Sequence, residues 1–404
     1  MARVATFSLH TSPLAQPGAG DGGGMNVYVH ALASALARAG VEIDVLTRAD
    51  HAEQPPVVEV EPRYRVVHLD AGPKRPVSRQ ELVDLVPALT EAARDHLAGA
   101  STDAMHANYW VSGAVAHRLK HDLALPLVAT FHTLAAVKAR AGIADDPVER
   151  SEIERDVARC ADLLLASTVD ERNDLVQRCG ADPDRIEILP PGVDRSEFSP
   201  GDREAARARL GLDGRRVLLF VGRIQPLKGV DVAIRAVGAL GDPRATLLVV
   251  GGPSGPEGEV ELARLHALVA ELGLGEQVRF TAPQPHDALD TFYRAAHVCL
   301  VPSRTESFGL VALEAAACAT PVVAADVGGL RAVVVDGETG LLVDGYDPDA
   351  LAAATTELLD DPGLARVMGT RAAARATGFT WGLAAARLRR LVADLGARAP
   401  VECR

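Results

Sequence analysis

The feature that most limits this chain is a rhythm that stops and starts again. Short apolar runs at 3–8, 41–47, 57–60, 64–68, 104–106, 127–130, 163–166 and 186–189 read as strands. Amphipathic runs at 25–39, 80–97, 111–123, 148–160 and 169–178 read as helices between them. Pro190-Pro191-Gly192-Val193-Asp194 and then Ser199-Pro200-Gly201 break the pattern. It resumes with strands at 216–221, 246–251, 278–280, 296–301, 321–325 and 341–343, helices at 230–240, 259–272, 286–296 and 310–318, and a helical tail over 348–359, 362–376 and 381–395. Neighbouring strands joined through helices are parallel, and a parallel sheet is covered on both faces. The expectation is an α/β chain of two Rossmann-like domains, since 404 residues exceed one ordinary core. The first domain is placed at 1–193 and the second at 194–378, with 379–404 a helix packing back towards the first. Open parallel sheets bind ligands beyond the carboxyl ends of their strands, which predicts a site in an inter-domain cleft.

Charge narrows the ligand. A net charge of -12 argues against nucleic acid as a partner, so any anionic substrate has to be held by locally placed cations. Five cysteines (Cys160, Cys179, Cys299, Cys318, Cys403) show no metal-type spacing, and the first four sit in helical or strand-like runs expected to bury them as thiols. Residues 1–4 lead straight into a strand and no apolar run approaches a membrane span, so the expected setting is cytoplasmic, without a membrane.

Residues 302–320 (PSRTESFGLVALEAAACAT) read as loop and helix between two buried strands. Glu306 to Leu310 then fall at a helix start, where unpaired N–H groups and the dipole favour an anion such as a diphosphate. Glu306 and Glu314 suit sugar hydroxyls better than phosphate. Together they describe a nucleoside-diphosphate sugar; the plainer alternative is a capped helix with Glu306 a solvated acid. Arg223 and Lys228, in VGRIQPLKG, follow a strand end and suit a departing diphosphate electrostatically, or Lys228 is a surface lysine of the turn. His132, in TFHT, also closes a strand and equally suits a structural role. The loop at 251–256 (GGPSGP) could wall a nucleotide base. Gly18-x-Gly20-x-x-Gly23 matches the dinucleotide fingerprint in letters, yet begins well after the first strand and has no acid closing the second. The same glycines could instead admit a sugar diphosphate to the next helix start.

Together GDGGGMNVY, NYWVSG, TFHTLAAVK, FVGRIQPLKG, GGPSGP and PSRTESFGLVALEA resemble the retaining glycosyltransferases of the GT4 family, which have the GT-B fold. Within it the chain is most similar to the enzymes that glycosylate D-inositol 3-phosphate. The resemblance implies transfer of N-acetylglucosamine from UDP-GlcNAc to 1D-myo-inositol 3-phosphate, the first step of mycothiol biosynthesis. By motif position it implies donor contacts from Gln16, Pro17, Gly24, Arg223, Lys228, Gln284, Glu306 and Glu314. Acceptor contacts fall on His10, Asp21, Gly22, Gly23, Gly24, Met25, Asn26, Arg79, Tyr109, Thr133 and Arg150, and the catalytic set is Arg223, Lys228, His132 and Glu306. No organic cofactor is expected. A structural magnesium ion would fall on Tyr293, Arg294, Ala296 and Thr320, and the expected assembly is a homodimer. Arg79 stands where the family usually has lysine, Ser151 where a second arginine is common, Gln284 where an arginine is common and Asn108 where a histidine is usual. These departures touch the acceptor more than the donor. The alternatives are a GT4 transferase with a different acceptor, an NAD-dependent dehydrogenase and a non-catalytic sugar-binding protein.

Overall fold

In the computed structural model, residues 2–99, 101–142, 146–255, 258–344 and 346–403 are described. The chain divides into two compact units. One comprises Met1–Ala15, Met25–Pro191 and Trp381–Arg404; the other comprises Gln16–Gly24 and Gly192–Thr380. The glycine-rich segment thus packs with the later half of the chain.

The first unit is built on β1 (Arg3–Phe7), β2 (Glu42–Arg48), β3 (Val57–Glu61), β4 (Tyr64–Leu69), β5 (Ala104–Asn108), β6 (Leu127–Thr130), β7 (Leu163–Ala166) and β8 (Ile186–Ile188). They lie in the order β3-β4-β2-β1-β5-β6-β7-β8. All pairs are parallel except β3 with β4, which is antiparallel. That departs from the all-parallel expectation for a simple reason. Only Pro62 and Arg63 separate the two strands, too little chain for a crossover. The sheet packs its apolar residues, among them Phe7, Leu46 and Leu164, against Trp110, Val115 and Leu89 of the covering helices. The helix Trp381–Gly396 belongs to this unit: Trp381 meets the Tyr28 ring edge-on at 5.6 Å, and Arg389 donates to the Ala39 carbonyl at 2.8 Å.

The second unit holds β9 (Arg216–Val221), β10 (Ala245–Val250), β11 (Val278–Thr281), β12 (Val298–Val301), β13 (Val322–Ala325) and β14 (Gly340–Val343) in the order β11-β10-β9-β12-β13-β14, all parallel. Successive residues of β9 feed opposite faces. Val217 and Leu219 join one core cluster, Leu218 and Phe220 the other. A strand buried on both sides needs no polar alternation, which is why these strands read as continuous apolar runs.

In the parallel part of each sheet the strand order reverses once, beside β1 and β5 in the first and beside β9 and β12 in the second. Loops leaving the carboxyl ends of such a strand pair diverge and open a crevice. Those loops carry most of the residues singled out from sequence.

Candidate functional site

In the second unit, the loop after β9 and the loop after β12 are fastened together. Gly229 has a φ of +68°, and a Cβ there would come within 2.1 Å of the Pro302 carbonyl oxygen, so only glycine permits the approach. Arg304 N–H donates to the Leu227 carbonyl at 2.8 Å. The result sets Lys228 Nζ 2.7 Å from Glu306 Oε2, with both side chains about a fifth exposed. Glu306 is therefore not a solitary solvated acid, nor Lys228 a loose surface lysine. The helix Leu310–Ala317 begins at Gly309 with no side-chain cap and no acid in its first turn. Its start keeps the anion-favouring character expected of it.

The glycine-rich segment closes on the neighbouring strand ends. Gly18 N–H donates to Gly22 O at 2.9 Å, and Gly252 N–H donates to Gly18 O at 3.0 Å. Gln16 Nε2 donates to the Gln284 carbonyl at 2.5 Å, beside Pro17. Arg223 Nη1 donates to Ser254 Oγ at 3.2 Å and reaches the Asp21 carbonyl at 3.5 Å, and its Nε would lie 3.0 Å from a Cβ on Gly23. Gln16, Asp21, Gly22, Gly23, Gly24, Arg223 and Gln284 thus share this unit. Pro256, at the end of the loop expected to wall a base, lies outside the described residues.

Glu314 is more enclosed than its expected role suggests. It is buried, Tyr293 OH donates to its Oε2 at 2.6 Å, and His286 Nε2 lies 2.8 Å from its Oε1. Burial alone would lower the His286 pKa; Glu314, then Glu197 and Asp287, outweigh it and hold it above the ordinary value. Each Glu314 oxygen keeps one further lone pair for a sugar hydroxyl.

In the first unit, four residues from separate segments converge. Arg150, at the start of the helix Arg150–Cys160, is wholly buried. Its Nη1 donates to Tyr109 OH (3.0 Å) and Asp146 Oδ1 (2.8 Å), its Nη2 to Thr133 O (2.8 Å) and Oγ1 (2.9 Å), and its Nε to Glu154 Oε1 (2.6 Å). All five donors of the guanidinium are used. Arg79 opens the helix Arg79–Ala98, held by a Ser78–Glu81 capping box, and reaches Asp146 Oδ1 at 3.3 Å. Lys138 Nζ meets Asp146 Oδ2 at 2.8 Å. Three cations from three segments thus share one carboxylate. Burial pushes the Asp146 carboxyl up, but Arg150, Lys138 and Arg79 overcome that and leave its pKa below the usual range. Neither arginine, though each opens a helix, is left to solvent: Arg150 is wholly buried and Arg79 is paired with Asp146.

Tyr109 and His132 close the adjacent strands β5 and β6 with φ of 76° and 63°, conformations non-glycine residues adopt at a cost of order 1–3 kcal/mol. The bends turn Tyr109 onto Arg150 and His10, whose ring lies 5.1 Å away. His132 Nε2 lies 2.9 Å from Asn108 Oδ1, and its ring meets Tyr28 edge-on. Burial, then His106, pushes the His132 pKa down to about 3, so the imidazole is neutral at pH 7. Asn26 Nδ2 donates to Thr11 Oγ1 at 3.0 Å and to the Ser12 carbonyl, next to Met25 on the same helix.

Two family models match the chain, "Glycosyl transferase 4-like domain" over residues 23–192 and "Glycosyl transferases group 1" over 202–375. A D-inositol 3-phosphate glycosyltransferase of Nocardia farcinica is 48% identical over 94% of this chain and 86% of its own. One from Kineococcus radiotolerans is 48% identical over 95% and 93%. The chain belongs to the GT4-family glycosyltransferases. A sucrose-phosphate synthase from Thermosynechococcus elongatus superposes with a TM-score of 0.92 at 35% identity, covering 98% of this chain and 100% of that one. An Anabaena protein solved with UDP and glucose shares the fold with a TM-score of 0.80 at 21% identity over 98% and 100%. The GT4 transferase accordingly has the GT-B architecture of two Rossmann-like sheets.

The dinucleotide alternative fails on geometry as well as on family. β1 ends at Phe7, the next helix opens at Gly24, and Gly18, Gly20 and Gly23 pack with the other unit. The magnesium positions gather at the carboxyl end of the helix Leu289–Ala295, where Thr320 Oγ1 lies 2.6 Å from the Tyr293 carbonyl oxygen. Carbonyl and hydroxyl oxygens at the negative end of a helix dipole are the donor type a hard cation takes, although the Tyr293 carbonyl already accepts from Thr320 Oγ1 and Ala296 N–H. Sequence reasoning passed over Asp146 and Glu154, although Glu154, four residues after Arg150 on the same helix, was a readable ion pair.

Proposed function

We propose that this transferase moves N-acetylglucosamine from UDP-GlcNAc to 1D-myo-inositol 3-phosphate with retention, opening mycothiol biosynthesis. The observation that carries the acceptor is the meeting of Arg79, Lys138 and Arg150 on Asp146 in a chain of net charge -12. A phosphate dianion would take over donors that Asp146 now accepts, with Tyr109 and Thr133 hydroxyls beside it. The relatives named for D-inositol 3-phosphate support the same reading. For the donor, the diphosphate rests on the start of the helix Leu310–Ala317 with Arg223 and Lys228 countering its charge, Gln16, Pro17, Gly24 and Gln284 line it, and Glu306 and Glu314 take sugar hydroxyls.

In the step itself the anomeric carbon–oxygen bond to UDP breaks and the acceptor oxygen bonds on the same face. The acceptor proton passes to the departing phosphate oxygen. Neutral His132 holds the local backbone and supplies no proton of its own. A glycosyl adduct on Glu306 by mass spectrometry would overturn this route in favour of a covalent one. A magnesium ion on Tyr293, Arg294, Ala296 and Thr320 would brace the helix end and take no part in the chemistry. A homodimer and a cytoplasmic setting complete the reading; among the described residues no helix is long and apolar enough to cross a membrane.

Acceptor choice is the test. With UDP-GlcNAc, the 3-phosphate of myo-inositol is expected to be used and free myo-inositol hardly at all. Arg79→Ala is expected to raise the KM of the phosphorylated acceptor on the order of tenfold or more, a charge-assisted hydrogen bond contributing roughly 1.5–3 kcal/mol. UDP binding should barely change. Equal use of the two acceptors, or of neither, would favour a GT4 transferase with another acceptor, a reading the 35% identical sucrose-phosphate synthase keeps open.

A further inference from the structure

On the helix Trp110–Leu123, His117 and His121 are four residues apart and so share one face. Their rings are 5.2 Å apart. The helix Arg150–Cys160 runs against this one and ends with Cys160 beside them. Residues 401–403 pass the same spot, where Val401 N–H donates to Asp162 Oδ1 at 2.5 Å and Cys403 is delivered to the histidines. The scaffold below is rigid and polar: buried Lys120 pairs with Asp162 at 2.9 Å and donates to the Cys160 carbonyl at 2.6 Å.

Two imidazoles and two thiols therefore converge, with one donor atom from each lying within 4.8 Å of every other. Cys403 Sγ is 3.1 Å from His121 Nε2 and 3.6 Å from His117 Nε2, and Cys160 Sγ is 3.5 Å from His121 Nε2. A tetrahedral zinc ion with sulfur at about 2.3 Å and nitrogen at about 2.0–2.1 Å has sulfur–nitrogen edges of about 3.6 Å. The geometry points to a structural zinc site formed by His117, His121, Cys160 and Cys403. Its ligands come from two helices and the segment that follows the last one, so the ion ties residues 401–403 to the first unit.

The chemistry of the donors agrees. Two thiolates balance the charge of Zn²⁺, and four protein ligands fill its coordination, which marks a structural centre rather than a catalytic one. The structure pairs Cys160 with Cys403 as a disulfide, Cα atoms 4.9 Å apart; the zinc form holds the same two residues reduced, with their sulfurs about 3.8 Å apart. A disulfide, however, has no need of two histidine nitrogens aimed at the same sulfurs. The helix that ends in Cys160 begins with Arg150, so the ion would brace the far end of the element that carries the phosphate-gripping cluster.

The test uses the full chain, purified under reducing conditions and offered zinc alone or cobalt alone. One zinc per chain is expected by native mass spectrometry, with two thiols shielded from a thiol reagent until a chelator is added. Cobalt in its place should give intense tetrahedral ligand-field bands and a thiolate-to-metal charge-transfer band. Cys403 is exposed, so Cys403→Ser should leave the fold and the transferase activity intact while weakening zinc by at least about 100-fold, the upper end of what loss of a mere outer partner costs. His117→Ala should do the same and keep part of the charge-transfer band. A chain two hydrogens lighter that takes up no zinc after reduction would identify a disulfide and overturn the proposal. Undiminished zinc in the Cys403→Ser, His117→Ala double variant would overturn it equally.

Discussion

The clusters in the two units solve the problem of an anionic ligand in opposite ways. In the second unit the donors are local. Glycines let strand ends and loops approach, a helix start offers backbone N–H groups, and the Lys228–Glu306 ion pair stays about a fifth exposed. In the first unit the donors are long side chains from distant segments: Arg150 and Lys138 are buried, Arg79 is a fifth exposed, all three pair with Asp146, and Arg150 is further satisfied by Glu154 and Thr133. The first kind costs little to assemble and waits for a ligand. The second is a fixed scaffold in which an internal carboxylate holds the cations in place. Removing a cation should therefore strike folding in the first unit and turnover in the second.

The largest effect tests the first half of that statement. Arg150→Met keeps the bulk but leaves Glu154 buried without its cation and Asp146 with two of its three. Breaking a buried pair from one side typically costs about 3–5 kcal/mol. Both tryptophans, Trp110 and Trp381, lie in the first unit, so their fluorescence during urea unfolding reads it directly. A midpoint unchanged from wild type would mean that the network carries no stability and exists only for the ligand. For the other half, Arg223→Ala and Lys228→Ala should each lower kcat on the order of a hundred- to a thousandfold, as loss of a preorganised charge-stabilising donor does. Their urea midpoints should stay near wild type, because both side chains lie at loop ends rather than in a core. Near-normal turnover in both would remove them from the chemistry.

The same contrast governs what the sequence made legible. The second cluster lies in contiguous words: VGRIQPLKG and PSRTESFGLVALEA each carry strand end, loop and helix start together, so local patterns place Arg223, Lys228 and Glu306. The first is scattered over residues 79, 109, 133, 138, 146 and 150, and only the sheet order brings these together. Family resemblance supplied Arg79, Tyr109, Thr133 and Arg150; nothing local marked Asp146. Short helices also escaped notice, Ala135–Arg140, Arg203–Leu210 and Leu330–Val333, being too brief to show a period. The cysteine reading holds for Cys179, Cys299 and Cys318, which are buried free thiols, and misses only that Cys160 meets Cys403. His117 and His121 show helical spacing, but Cys160 and Cys403 lie 243 residues apart, beyond any ligand spacing that sequence can reveal.

The smallest effect concerns His132, which shares its strand-end geometry with Tyr109 yet carries no charge. Its pKa is about 3 in the folded chain and near 6.5 when unfolded. Above pH 6.5 neither state holds the proton, and the full stability is present. Between those values the unfolded chain binds a proton that the folded chain refuses, so stability is lost as pH falls from about 6.5 towards 3. The loss approaches about 1.4 kcal/mol per pH unit from this group. Buried His106, pushed down to about 4, and His297, pushed down to about 3, act in the same direction, so wild type alone cannot apportion the slope. His132→Asn can: asparagine tolerates the positive φ and does not titrate. Tryptophan-detected urea midpoints at pH 7, 6 and 5 should converge, the variant starting less stable and losing less with each step. Parallel lines would mean that folded His132 takes up its proton over the same pH range as the unfolded chain, so that burial does not hold it neutral.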